Sequence, residues 1–216
     1  MIKATYIDHM GTDLSVVNAA RVSFGKSSQL VFTDDPEDYG SLSERDAKLI
    51  NYLAKHKHLS PFGHAFASFH IKAPIFVARQ LVKHKFLRWN EISRRYIDDE
   101  PELYTPYAWR GRSADKKQGS EGVVNVGDWG SSGWAALKAY KDLLAHGVAP
   151  EQARMELPQS TMTEWYWSGS LDAFADMCRL RCKEDTQYET RLVADQVSKI
   201  MQDLYPVSWA ALMEEV

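Results

Sequence analysis

Cations, an amide, a carboxylate and hydroxyls are concentrated in one short stretch, from Gln80 to Tyr96, which reads QLVKHKFLRWNEISRRY. Lysine and arginine bind phosphate oxygens, whereas amide, carboxylate and hydroxyl groups pair with the edge of a heterocycle. A nucleotide has both parts, so the mixture predicts a nucleotide site. The residues leave two alternatives open, a solvated basic surface and a nucleic-acid-binding patch. The interleaved Trp89, Asn90 and Glu91 favour the nucleotide, because a merely solvated face does not need that mixture.

The other reactive residue types give weaker signals. Four of the seven histidines fall between residues 56 and 70, but no cysteine or carboxylate joins them at a recognised ligand spacing, so we expect no metal site. Cys178 and Cys182 fall in the body of a predicted helix, away from the helix N-terminus that commonly activates a thiol. Ser93 has no histidine base at an evident spacing, and we interpret it as a hydrogen-bonding ligand.

Length and composition restrict the class of protein. The chain has 216 residues, of which 44% are hydrophobic, and this suits one domain with one core. No stretch approaches the roughly 20 consecutive apolar residues of a membrane helix, and the start MIKATYIDHM lacks the apolar region of a signal peptide. The net charge of −3 argues against wholesale binding to nucleic acid. We therefore expect a soluble, cytoplasmic protein with no membrane or nucleic-acid partner.

Hydrophobic periodicity divides the chain into short strands and amphipathic helices. Alternation predicts strands at 1–9, 65–73 and 161–167. Spacings of three and four, with start and stop signals, predict helices at 13–24, 74–84, 132–146, 150–157, 170–182 and 186–204, and one more after Ser43. Asp13, Ser43 and Ser170 are the predicted N-caps. The segment 110–133 is rich in glycine and serine and predicts a long surface loop without a dinucleotide fingerprint.

The predicted helix from Pro74 to about His84 would orient part of the polar stretch. On it Gln80, Lys83 and His84 stand at i, i+3 and i+4, so they would share one face. The preceding strand would fix the direction in which the helix presents them.

Residues 83–93, KHKFLRWNEIS, resemble the signature of the flavin-dependent thymidylate synthases, usually written RHRxxSxNExS, and Arg95 and Tyr96 match as well. The resemblance continues through AARVSF near residue 20, HKHLSPFGH at 56, FHIKAPIFVARQ at 69, a block near 154 and another from 179 to 189. Only the glycine- and serine-rich segment has no counterpart. Several separated blocks in the same order support the resemblance.

The resemblance implies an enzyme that converts dUMP to dTMP. Members of the family use FAD, usually reduced by NADPH, and methylenetetrahydrofolate as the carbon donor, and they release tetrahydrofolate. Their fold is an α/β domain of the α+β type, with a central, mainly antiparallel sheet flanked by helices. They assemble as homotetramers with active sites at subunit interfaces. One such domain would cover residues 1–216.

The resemblance also implies site residues. Those matching dUMP contacts are Gln80, Lys83, Glu91, Ser93, Arg94, Arg95, Arg154 and Arg181. Those matching FAD contacts are Ser23, His58, Ser60, Lys83, His84, Lys85, Asn90, Glu91, Ser170 and Asp176. Arg181 would be catalytic, because a guanidinium that holds the uracil edge favours the ionised ring and makes its carbon nucleophilic.

The chain departs from the family pattern at five positions. Lys83 and Lys85 replace arginines and lose the planar fork that binds phosphate bidentately, while Arg88 replaces a serine and can restore a guanidinium. Gly63 stands where glutamate is common, and Asp172 where an FAD-contacting arginine is common. These departures leave two alternatives open. One is a member that makes another 5-substituted pyrimidine nucleotide, such as a hydroxymethyl product; the other is a non-catalytic nucleotide-binding homologue.

Overall fold

A four-stranded antiparallel sheet forms the centre of the computed structural model, which describes residues 1–35, 39–97, 99–115, 119–127 and 132–214. Among these residues the strands are β1 (Lys3–Met10), β2 (Phe66–Pro74), β3 (Leu87–Glu91), β4 (Trp109–Gly111), β5 (Glu121–Val124) and β6 (Met162–Ser170). The central sheet has the order β1-β2-β6-β3, and each neighbouring pair is antiparallel. The predicted mixture of helices with a mainly antiparallel sheet is confirmed.

Helices surround this sheet. They are α1 (Asp13–Arg21), α2 (Glu44–Lys55), α3 (Ile75–Leu81), α4 (Ser132–Ala145), α5 (Pro150–Ala153), α6 (Leu171–Arg181), α7 (Tyr188–Leu204) and α8 (Pro206–Met213). Short 3-10 turns occur at Val22–Phe24, Ser60–His64 and Arg154–Glu156. In the part of the chain described, none of these helices is long and apolar enough to cross a bilayer.

Alternating burial along β2 and β6 gives the sheet one apolar and one polar face. On the apolar face Phe69 and Trp167 are fully buried, and both meet the ring of Phe174 from α6 edge to face, with ring centroids 5.1 and 5.4 Å away. On the polar face Ser68 and Ser168 share a hydrogen bond of 2.8 Å across the two strands. The core therefore lies on this apolar face, between the sheet and helices that include α1, α2 and α3 as well as α6, α7 and α8.

The helix predicted from Pro74 to about His84 is shorter than expected, because α3 ends at Leu81. The backbone then turns: the His84 amide donates to the Leu81 carbonyl at 3.1 Å, and Phe86 adopts a φ of +63° before β3 begins. The prediction that Gln80, Lys83 and His84 share one helical face is wrong. The three residues have a helical spacing by chance. The segment after Leu81 forms a turn and then a strand, because the strand pairs with β6.

One predicted N-cap is also wrong, and another is confirmed in position only. Thr12 precedes α1 as its N-cap, whereas the Asp13 carboxylate accepts hydrogen bonds from the amides of Val207 and Ser208 at 2.9 and 2.8 Å. Asp13 thus caps α8, a helix that the sequence did not predict. Ser170 is the N-cap residue of α6, as predicted, although its side chain makes no capping hydrogen bond.

The segment 110–133 is not one irregular loop. β4 and β5 form an antiparallel hairpin in which Trp109 pairs with Val124, and α4 begins at Ser132. Residues 116–118 and 128–131 of this segment lie outside the described residues. Other element ends differ by a few residues: the helix predicted at 150–157 divides into α5 and a 3-10 turn, and the last strand of the central sheet continues to Ser170.

Candidate functional site

The polar stretch from Gln80 to Tyr96 is divided among the end of α3, a turn, strand β3 and the loop after it. Among the described residues β3 is an edge strand, paired with β6 on one side only. Leu87 of β3 stands directly opposite Gly169 of β6. A Cβ atom on residue 169 would collide with the Leu87 side chain. Glycine at this position therefore lets β3 approach closely and fixes where Trp89, Asn90 and Glu91 are presented.

Five of the eight residues matched to dUMP surround one cavity of about 390 Å³, which we call the β3 cavity. They are Glu91, Ser93, Arg94, Arg95 and Arg154. The rest of its wall includes Thr161, Met162 and Thr163 from the start of β6. The Thr161 hydroxyl is buried there without a hydrogen-bond partner among the described residues. Because buried hydroxyls are normally paired, this group suits a bound ligand.

The Glu91 carboxylate is held by two donors. One oxygen, Oε1, accepts from the Thr163 hydroxyl at 2.7 Å, and the other, Oε2, accepts from the Trp89 indole N–H at 3.1 Å. Both donors come from the apolar face of the sheet. The carboxylate is thereby fixed at the edge of the β3 cavity as a hydrogen-bond acceptor.

The arginines of the β3 cavity differ in how far they are already paired. Arg94 donates to the Asp99 carboxylate at 3.1 Å, whereas Arg95 donates to the Ser93 hydroxyl at 3.2 Å and Arg154 donates to the Glu151 carbonyl at 3.2 Å. Neither Arg95 nor Arg154 has a carboxylate partner in the described parts of the chain. Two guanidinium groups are consequently available for an anion such as a phosphate.

Arg181 lies in a second cluster that does not line the β3 cavity. Its Nε donates to His84 Nε2 at 3.0 Å. Burial, followed by repulsion from the Arg181 charge, lowers the pKa of His84 to about 4, so its imidazole is neutral near pH 7. Burial also lowers the pKa of Arg181. Gln80 does not line the β3 cavity either; it is hydrogen-bonded to Gln187 and accepts from the Thr190 hydroxyl at 3.2 Å.

The four remaining polar residues of the stretch are exposed, and they belong neither to the β3 cavity nor to the Arg181–His84 cluster. Lys83 and Lys85 lie in the turn between α3 and β3. Arg88 and Asn90 pair with Ser168 and Tyr166 of β6, so they project from the sheet face opposite to Trp89 and Glu91. The alternation of β3 therefore separates Asn90 from Glu91, although both were matched to FAD.

Three of the residues matched to FAD meet at a second cavity of about 670 Å³, between α1, α2 and the 3-10 turn at 60–64. They are Ser23, His58 and Ser60. Arg21, Lys26 and Arg45 bring cations to this α1–α2 cavity, and Phe24 and Tyr52 bring aromatic rings. Cations suit a pyrophosphate and rings suit a planar heterocycle, so this donor set fits a flavin dinucleotide.

An ion pair between Arg21 and the buried carboxylate of Asp46 fixes the wall of the α1–α2 cavity. Asp46, 4% exposed, accepts from Arg21 Nε and from the Ser28 hydroxyl at 3.0 Å each, and from the Ser43 hydroxyl at 2.8 Å. Burial alone raises the Asp46 pKa, but hydrogen bonds from Arg21, Ser43 and Ser28 outweigh it, and the pKa lies below its usual value. Ser43 also caps α2, as predicted, by accepting from the Asp46 amide at 3.2 Å.

Other predicted residues are not brought to these cavities. Asp176 forms an ion pair with Arg179 and lines a separate cavity of about 870 Å³. Ser170 lies at the junction of β6 and α6. Of the departures from the family pattern, Gly63 has open space where a Cβ would stand, and one carboxylate oxygen of Asp172 is buried without a partner among the described residues.

The sequence did not predict three hydrogen-bond partners of the expected binding residues Glu91 and Gln80. They are Thr163, Thr190 and Gln187. Thr163 could have been found, because the alternation of the predicted strand places it on the same face as Trp165 and Trp167. No local signal connects Thr190 with Gln80, which is 110 residues earlier. Within the described ranges, no group of three or more histidine, cysteine or acidic side chains is arranged to hold a metal ion.

Comparison with known proteins gives consistent matches along the chain. The family model described as thymidylate synthase complementing protein matches residues 5–207. A flavin-dependent thymidylate synthase from Kosmotoga olearia is 40% identical over 215 residues, covering 96% of this chain and 88% of that relative. One from Thermus thermophilus is 38% identical over 218 residues, covering 97% of this chain and 75% of that relative.

A solved structure is also similar. It is the UMP/dUMP methylase PolB from Streptomyces cacaoi bound with 5-Br dUMP, which matches with a TM-score of 0.83 and 29% sequence identity. The match covers 98% of this chain and 94% of that chain. The same methylase bound with 5-Br UMP matches with a TM-score of 0.79.

Proposed function

The chain belongs to the family of flavin-dependent thymidylate synthases, and from this we propose that it methylates dUMP to dTMP. The proposal assigns FAD as the cofactor, NADPH as its reductant and methylenetetrahydrofolate as the carbon donor. It treats residues 1–216 as one domain. The free thiols of Cys178 and Cys182 suit the cytoplasmic location that we also propose.

The β3 cavity is the observation that carries this proposal. Two separated segments, the loop after β3 and the 3-10 turn at Arg154, bring Ser93, Arg95 and Arg154 together beside the fixed carboxylate of Glu91. Guanidinium groups without carboxylate partners suit the phosphate, and the carboxylate and hydroxyls suit the sugar or base. Because the cavity holds about 390 Å³, it is of a size that a small ligand can fill.

Arg181 is the proposed catalytic residue. Its Nε is engaged by neutral His84, while its Nη groups have no partner in the described residues and can hold the uracil edge. A fixed positive charge beside the ring N–H favours loss of that proton, and the anionic ring is the stronger carbon nucleophile. FAD, when bound, supplies the reducing equivalents that complete the methyl group. The α1–α2 cavity, with Ser23, His58 and Ser60, is its proposed site.

Arg181 and the β3 cavity would meet across a subunit interface. Within the described part of one chain Arg181 does not line the cavity, and one edge of β3 has no strand partner. The exposed rings of Phe86 and Tyr96, 82% and 78% exposed, flank this edge and would be buried by another subunit. We therefore propose a homotetramer in which each active site combines Arg181 of one subunit with Arg154 of another.

Mixing two inactive variants tests this arrangement. Arg181→Ala and Arg154→Ala should each abolish most activity, whereas subunits co-refolded in equal amounts should regain about a quarter of the wild-type activity, because one site in four then receives both arginines. Arg112→Ala, which changes an exposed arginine outside both clusters, is the control. Mixed subunits with no more activity than the single variants would contradict a shared site.

Product analysis tests the reaction. The purified protein is incubated with dUMP, methylenetetrahydrofolate, NADPH and FAD, and the nucleotides are separated and weighed by mass spectrometry. We expect a product heavier by one methylene group. A hydroxymethyl product would support the alternative reaction, and a protein that binds nucleotide but makes no product would support a non-catalytic homologue.

UMP is a second candidate substrate. Its support is the structural match to a methylase that is described as acting on both UMP and dUMP and has been solved with analogues of each. The same assay with UMP in place of dUMP decides between them through the ratio of the two kcat/KM values.

A further inference from the structure

We propose that Trp89 is a positioning residue that holds the Glu91 carboxylate in its nucleotide-binding orientation. The inference rests on the proposed function, since the orientation of Glu91 matters for binding only if the β3 cavity takes a nucleotide. Trp89 itself is not part of the cavity wall, whereas Glu91 and Thr163 are. Trp89 can therefore act on the nucleotide through its hydrogen bond to Glu91 or through its packing in the sheet, and the two routes have to be separated.

The two donors to Glu91 divide its oxygens between them. Thr163, 5% exposed, donates to Oε1 at 2.7 Å, and the Trp89 indole N–H donates to Oε2 at 3.1 Å. Glu91 is exposed at the end of an edge strand, where an unrestrained side chain would sample several rotamers. With both oxygens held, the carboxylate keeps one orientation, and its remaining lone pairs can accept from a ligand at no further cost in side-chain order.

Trp89 can impose this restraint because its own ring is fixed. In the register of β3 and β6 it stands opposite Trp167 and diagonal to Trp165. Its ring stacks on Trp165 with centroids 4.3 Å apart and planes at 19°, and it meets Trp167 edge to face at 6.0 Å. Both partner rings are almost completely buried, at 1% and 0% exposed. A rigid aromatic stack thus aims one N–H at a carboxylate two residues along the strand.

Two substitutions within the same stack separate donation from packing. Trp89→Phe keeps an aromatic ring but removes the N–H that Glu91 accepts. Trp165→Phe removes an indole N–H that donates to nothing in the described residues, and it does so at a more deeply buried position. Because a phenyl ring at position 165 can still stack on Trp89, Trp165→Phe should destabilise the fold at least as much as Trp89→Phe but weaken nucleotide binding clearly less.

The readouts are the Kd for dUMP by calorimetry, the KM and kcat for the same nucleotide, and the thermal midpoint. For Trp89→Phe we expect Kd and KM to rise about 5- to 20-fold with kcat changed less, as for loss of a hydrogen bond to a charged group. Thr163→Val should also raise the Kd for dUMP. Thr163→Ser, which keeps the hydroxyl, should have a Kd close to that of the wild type. In the Glu91→Ala background, Trp89→Phe should have no further effect on Kd.

The outcomes distinguish this inference from the proposed function. If the wild-type protein binds dUMP and Trp89→Phe binds it equally well, or if Trp165→Phe weakens binding as much, the positioning role is overturned and the function stands. If the wild-type protein binds neither dUMP nor UMP, the proposed function is overturned, and the inference with it.

Discussion

Acidification should destabilise this protein through one histidine, His84. The imidazole accepts a hydrogen bond from Arg181, and burial with the nearby guanidinium charge lowers its pKa to about 4. In the unfolded chain the same side chain has a pKa of about 6.5. The unfolded state therefore takes up a proton first as the pH falls, which favours unfolding.

The magnitude follows from the two pKa values. The stability contribution is complete above about pH 6.5 and is lost as the pH falls through the window from 6.5 to 4. Between pH 7 and pH 5 the difference in proton binding destabilises the folded state by up to about 2 kcal/mol. This is an upper value, because His84 is partly solvated and water screens the repulsion from Arg181.

The assay is urea unfolding at pH 7, 6 and 5, at one protein concentration so that assembly does not alter the comparison. His84→Gln replaces the ring with a group that can still accept from Arg181 but does not titrate. The variant should lose about 1 to 2 kcal/mol less than the wild type between pH 7 and pH 5. His56→Gln, which changes an exposed histidine, is the control and should follow the wild type. Equal pH dependence in the wild type and His84→Gln would refute this account of His84.

Two further changes test packing next to the proposed site. Asp46→Ala leaves the partly buried Arg21 without its carboxylate, so the free energy of unfolding by urea should fall by about 3 kcal/mol and the flavin affinity by titration should weaken. Glu44→Ala, in an exposed pair at 3.4 Å, is the control and should change stability by less than about 0.5 kcal/mol. Unchanged flavin affinity in Asp46→Ala would show that this ion pair does not shape the proposed flavin site. Gly169→Ala should lower stability by about 1 to 3 kcal/mol and weaken dUMP binding, because the new methyl displaces Leu87 and with it β3. A thermal midpoint equal to that of the wild type would contradict the close approach of β3 to Gly169.

Strands β1, β2 and β6 and most helices were predictable because their signals are local. Alternation marked the strands, and Ser43 was a correct cap because its partner, the Asp46 amide, lies three residues away. The family was evident for a related reason. The signature at residues 83–93 is a contiguous run of residue types, and a run can be read without knowing how the chain folds.

The cavity and its electrostatics depend on contacts between distant parts of the chain. β3 exists because it pairs with β6, and the turn that leads into it ends α3 at Leu81, between Gln80 and the pair Lys83 and His84. Asp13 is a cap for a helix almost two hundred residues later, and only the folded chain decides which amide meets its carboxylate.

The sequence by itself thus determined which chemical groups this protein carries and which family it resembles, since those depend on residue type and order. Tertiary structure alone decided how they are grouped. It placed Glu91 between Trp89 and Thr163, the latter 72 residues away, and it set Arg181 against His84 and apart from the β3 cavity. The physical reason is that hydrogen-bond geometry and burial depend on distances in space, which strand register and helix packing establish.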